Sequence, residues 1–137
     1  MILRKNKKSM LVWGGCAALG LAIGTSAYAG SVHASIDTSQ TKASTVTLGN
    51  TTGTYRFTVS NGTTSKYNVE AYMYQKPDGG NNNEVLVKKV AVASGDVYSQ
   101  DHSVNSNSYT MAKAEIYGNK KSNKKTGCVA LVSLKNK

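Results

Sequence analysis

The sequence predicts an all-β fold: a single β-sandwich of about seven antiparallel strands, with immunoglobulin-like or jelly-roll connections, behind a signal-peptide helix. Three observations predict it. From Ser44 onward, β-branched and aromatic stretches alternate with Gly/Asn/Ser-rich breaks at short, even intervals. No stretch carries the apolar spacing of an amphipathic helix, and proline occurs once, at Pro77. Tyrosine dominates the aromatics, which gives a small sandwich both core bulk and a wet, hydrogen-bonding surface.

The first 29 residues read as a secretory signal peptide. Arg4, Lys5, Lys7 and Lys8 make a positive opening, an uncharged run follows from Met10 to Ile23, and Ala27-Tyr28-Ala29 closes it with small residues. The run approaches the length of a spanning helix, but Gly14, Gly15, Gly20 and Gly24 dilute it. Cleavage is expected after Ala29, with Val32-His33-Ala34 as a second site and Cys16 as a weaker, lipoprotein-type alternative. The expected location is therefore secreted, either extracellular or held at the cell wall of a Gram-positive cell. Cleavage after Ala29 leaves 108 of the 137 residues, one domain's worth. Four of the 17 basic residues and none of the seven acidic ones leave, so the net charge falls from +10 to +6. That excess favours anionic surroundings such as teichoic acid, lipid headgroups, acidic polysaccharide or extracellular nucleic acid, and it also keeps a small protein in solution. Trp13 and Cys16 leave too, so Cys128 has no partner within the mature chain. Its apolar neighbours Val129 to Val132 point to a buried thiol rather than a reactive one.

Gly30 to Ala43 is small and polar and reads as a flexible tail, so the sandwich is expected over 44–137. Ser44–Leu48 is the first strand. Thr54–Ser60 is the clearest, with Tyr55, Phe57 and Val59 alternating against Arg56 and Thr58. Asn61-Gly62 then predicts a tight hairpin into Lys66–Gln75, making those two strands antiparallel neighbours. In Lys66–Gln75, Tyr67, Val69, Ala71 and Met73 share one face, and Asn68, Glu70, Tyr72 and Tyr74 the other. Residues 77–83 form a long connection. Next, Val85 and Val87 have one parity and Val90 and Val92 the other, which demands either a bulge at Lys88-Lys89 or a corner between sheets. Val97–Val104 is a polar edge strand, Tyr109–Tyr117 buries Ala112, Ala114 and Ile116, and Cys128–Leu134 closes the fold behind a basic loop from Gly118 to Gly127.

Chemistry is sparse. Asp101-His102-Ser103 has the residue types of a catalytic triad, but neighbouring strand residues point to opposite faces and cannot converge. His102 is expected to face solvent at the edge. Asp78, Asn81, Asn83 and Glu84 offer oxygens from one loop but miss the EF-hand spacing, so no metal site and no cofactor is expected. No acid, base and nucleophile present themselves together, and no enzymatic activity is expected.

Two binding candidates remain. Lys120, Lys121, Lys124 and Lys125 bring four point charges to one hairpin tip, suited to salt-sensitive contact with a polyanion. The tip lacks arginine and interleaved aromatics, which speaks against specific nucleic-acid recognition. Tyr72 and Tyr74, beside Glu70, form a face of the kind that holds a sugar. The expected function is non-enzymatic binding, with an anionic cell-wall polymer, a carbohydrate or another secreted protein as partner. The alternative is a secreted antagonist, either a bacteriocin-like toxin or an inhibitor of another secreted protein.

Overall fold

The computed structural model describes residues 26–27, 30–49, 53–76, 84–104 and 111–137. Most of the expected signal peptide, the 77–83 connection and the 105–108 turn lie outside them. The described residues are all-β, in two packed sheets. The strands are β1 (Ser26–Ala27), β2 (Ser31–Ile36), β3 (Lys42–Ser44), β4 (Thr47–Gly49), β5 (Thr54–Asn61), β6 (Val69–Lys76), β7 (Val85–Val92), β8 (Val97–Ser103), β9 (Met111–Lys120), β10 (Asn123–Lys124) and β11 (Ala130–Asn136).

Sheet I centres on β9. Strand β6 pairs with one side of it and β7 lies beyond. Along the other side, β4, β3 and β10 pair in turn, all antiparallel. Thr45 bridges the first two of these. Its backbone N–H donates to the Ala114 carbonyl, and its hydroxyl accepts from the Ala114 N–H at 3.0 Å. So β3 and β4 are one interrupted strand. Strand β1 adds a two-residue parallel pairing on β4. Sheet II runs β2-β11-β5-β8, antiparallel throughout.

With β3 and β4 counted as one arm, the main strands pair first with last, second with seventh, third with sixth and fourth with fifth. That is one long antiparallel ribbon rolled into two four-stranded layers. The connections are those of a jelly roll. The inward residues are those that the period-two pattern selects: Tyr55, Phe57 and Val59, then Val69, Ala71 and Met73, then Ala112, Ala114 and Ile116 are all fully buried. Cys128 is buried with them, its thiol 3.4 Å from the Tyr67 carbonyl oxygen.

Two expectations are corrected and a third, left between two alternatives, is decided. Residues 30–43 are not a tail, because Ser31–Ile36 is a full strand on β11 that buries Val32 and Ile36. The alternation Val32-Ala34-Ile36 against His33 and Ser35 carries it, masked by the small size of its neighbours. Asn61-Gly62 makes no hairpin, since β5 and β6 belong to different sheets. Neither residue has positive φ. Instead the buried Asn61 side chain donates to the carbonyls of Tyr67 and Val92, and Gly62 N–H donates to Val129 O at 2.8 Å. A Cβ at Gly62 would lie 2.9 Å from that oxygen, so glycine serves close approach here, not turn geometry. Finally, the phase slip in β7 is a bulge rather than a corner, and it falls at Val87: Met73 pairs with Lys88 and Tyr74 with Leu86.

Candidate functional site

The outer face of sheet I collects the polar and aromatic residues of four strands. β6 contributes Glu70, Tyr72 and Tyr74, and β9 contributes Lys113, Glu115 and Tyr117. Register sets Tyr72 opposite Glu115 and Glu70 opposite Tyr117, while Lys89 of β7 and Lys42 of β3 flank them. The two remaining strand-end residues, Glu84 and Lys76, close one end of the cluster with a 3.2 Å ion pair.

The tyrosines form a corner. Tyr72 and Tyr74 stack at 6.1 Å with 13° between planes, and Tyr117 meets Tyr72 edge-on at 5.7 Å and 88°. Two of the hydroxyls are tied down: Tyr72 donates to Glu70 Oε1 at 2.7 Å and Tyr117 to Glu115 Oε1 at 2.9 Å. Burial, and then the accepting carboxylate, push both of these phenols well above their ordinary range. They stay neutral.

Into this corner reaches Lys121, from the turn of the β9–β10 hairpin. Its Nζ lies 5.1 Å from the centroid of Tyr72 and 5.6 Å from those of Tyr74 and Tyr117, and it donates to the Tyr74 hydroxyl at 3.0 Å. That hydroxyl, with Glu115 Oε1 at 3.9 Å, favours the ammonium form and raises the lysine's pKa. Its backbone N–H donates to Glu70 Oε1 at 2.8 Å, so the same carboxylate anchors both Tyr72 and the hairpin. Burial works to raise the Glu70 pKa, but the Lys121 amide, the Tyr72 hydroxyl and Lys89 outweigh it, and the net shift is down.

The hairpin is aimed by its first two residues. Asn119 takes a left-handed φ of 68° where β9 slips register against β6, and a side chain at Gly118 would run into the Lys125 carbonyl oxygen. The basic tip is therefore not uniformly extended into water. Lys121 lies over the tyrosine corner and Lys125 sits 5.0 Å above Tyr67, while Lys120 and Lys124 are exposed along the tip. The two candidate sites of the sequence meet at Lys121. Glu70 is a brace rather than a free sugar-binding group, and the Tyr72 face is already covered by the ammonium groups of Lys121 and Lys89.

Sequence reasoning missed Tyr117, Glu115, Lys113, Lys89 and Lys42 because their place depends on β6 pairing with β9. The available signal was the alternation in β9, where Lys113, Glu115 and Tyr117 interleave with the inward Ala112, Ala114 and Ile116.

His102 does not face solvent freely. Its Nε2 lies 2.6 Å from the Tyr98 hydroxyl, and its ring stands edge-on to Phe57 at 6.2 Å. Burial, then Lys88, lower its pKa against the opposing pull of Asp101. Asp101 points the other way and pairs with Arg56, and Ser103 meets Thr54, so the three residues do not converge. Among the described residues, no group of three His, Cys, Asp or Glu is placed to hold a metal ion. Glu84 is engaged by Lys113 at 2.8 Å as well as by Lys76, while Asp78, Asn81 and Asn83 lie outside the described residues.

Comparison with protein-family models, curated proteins and solved structures finds no match for this chain.

Proposed function

We propose that this protein is a non-enzymatic, exported binding protein that attaches to an anionic cell-envelope polymer through the outer face of sheet I and its Lys-rich hairpin. The observation that carries this reading is the seat of Lys121 over Tyr72, Tyr74 and Tyr117, which joins the basic tip and the aromatic face into one surface. Lys120, Lys124 and Lys125 extend that surface with point charges, and Tyr74 offers it a partly exposed ring. A polymer of phosphates and sugars or polyols meets both features at once. Lysines acting as point charges give attraction that weakens as salt rises.

The test is sedimentation with purified cell walls. The protein pellets with walls at low salt, and the bound fraction falls steeply at high salt. Lys120→Gln, Lys121→Gln, Lys124→Gln and Lys125→Gln combined reduce it at least tenfold at low salt, because log affinity falls roughly in proportion to the number of phosphate contacts removed. Protein that stays in the supernatant at low salt removes this reading.

A further inference from the structure

The three tyrosines around Lys121 have the form of a site for an organic cation. An ammonium within about 6 Å of a ring centroid is attracted by the negative face of the ring, and the attraction strengthens where water is excluded. Here one ammonium satisfies that distance for three rings at once, at 5.1, 5.6 and 5.6 Å. The walls are rigid, since Tyr72 and Tyr117 are 7% and 3% exposed and their hydroxyls are tied to Glu70 and Glu115. The occupant is not rigid. The Lys121 side chain is 48% exposed and belongs to a turn residue, and its ammonium makes one hydrogen bond, to Tyr74.

We propose that the Tyr72–Tyr74–Tyr117 corner is a binding site for an alkylammonium group, which Lys121 fills in cis until a ligand displaces it. Exchange of one ammonium for another leaves the charge inside the corner unchanged, so Glu115, which is 10% exposed, keeps a cation beside it. The hairpin need not unfold, because its anchor on Glu70 is the Lys121 backbone N–H and not the side chain. Once released, the Lys121 ammonium joins the exposed tip beside the vacated corner. The ligand that fits is therefore one carrying an alkylammonium next to a phosphate: the first takes the corner and the second meets the freed lysine. This goes beyond attachment to a polyanion, and small molecules test it without any polymer.

The experiment is a proton NMR titration of choline with the purified protein, reading the N-methyl resonance. Methyl protons over aromatic faces shift upfield, so the wild-type protein produces a weak, saturable shift. Lys121→Ala removes the ammonium shared by all three rings, while Lys89 stays over Tyr72 and Lys42 over Tyr117, and it tightens choline binding about three- to tenfold, as expected when the open form rises from a minor to the dominant population. Lys135→Ala removes an exposed charge from β11, in sheet II, and leaves choline affinity as in the wild type. Tyr74→Ala, added to Lys121→Ala, abolishes the gain; Tyr74 is the least buried of the three walls, and near-ultraviolet circular dichroism of the double variant verifies the fold. Choline's neutral isostere, with carbon in place of nitrogen, produces no saturable shift. Phosphocholine binds the wild type more tightly than choline, and that advantage disappears in Lys121→Ala. The proposal is overturned if neither protein shifts the methyl resonance, if Lys121→Ala behaves like Lys135→Ala, or if the neutral isostere binds as well as choline. None of these outcomes depends on sedimentation with walls, so this proposal and the attachment reading fail separately.

Discussion

At the scale of single residues, a few side chains and one glycine decide the site. Gly118 is where β9 meets the returning chain, and a methyl group there would press on the Lys125 carbonyl, a backbone atom that cannot step aside cheaply. Gly118→Ala is expected to lower stability by about 1–3 kcal/mol, read from the denaturant midpoint, through overpacking. Glu84 gives a pH prediction. Burial works to raise its pKa from the ordinary 4.5, but Lys113 and Lys76 outweigh burial and hold it lower. A carboxylate whose folded pKa lies below its unfolded value contributes stability above about pH 4.5, and that contribution is lost as pH falls through the folded value. Glu84→Gln should therefore lower the thermal midpoint at pH 7 and change it little at about pH 3, where the wild type has lost the same contribution. A drop of equal size at both pH values would show that its ion pairs are not what matters.

At the scale of elements, the strands with large alternating residues were legible in the sequence. Tyr55-Phe57-Val59 and Val69-Ala71-Met73 went to the core as their periodicity requires, because nothing else places those rings and branched chains out of water. Strand β2 was illegible for the opposite reason. Its inward residues are Val32, Ala34 and Ile36 among serines, and a pattern so light in apolar volume reads like linker. Hydrogen exchange separates the two readings directly. Amides of Ser31–Ile36 that hydrogen-bond to β11 should be protected to a degree comparable with those of β5, whereas a tail would exchange at once. Ile36→Ala should cost about 2–5 kcal/mol, as expected for a fully packed core side chain. The Asn61-Gly62 signal failed for another reason: a turn dipeptide also supplies a compact amide and a bare backbone. Both were used here to bridge Tyr67, Val92 and Val129 across the gap between sheets.

At the scale of the whole molecule, the order of pairings explains why the candidate face was only half visible. Short breaks and alternation specify how many strands there are, but not which strand lies beside which. In a rolled ribbon, β9 is a neighbour of β6 although 34 residues separate Lys76 from Met111, and such a pairing leaves no local trace in the sequence. Tyr72 and Tyr74 could be picked out as an aromatic pair, and the four lysines as a charged tip. Their meeting at Lys121 could not. The same long-range pairings predict slow folding, on the millisecond-to-second scale typical of non-local β topologies, in stopped-flow refolding. The measurement that bears most directly on the central claim is chemical-shift mapping of the isotopically labelled protein titrated with solubilised anionic wall polymer. Shifts concentrated at Lys42, Tyr72, Tyr74, Tyr117 and 119–125 are the predicted result. Shifts confined to sheet II, or none at saturating polymer in low salt, would contradict it.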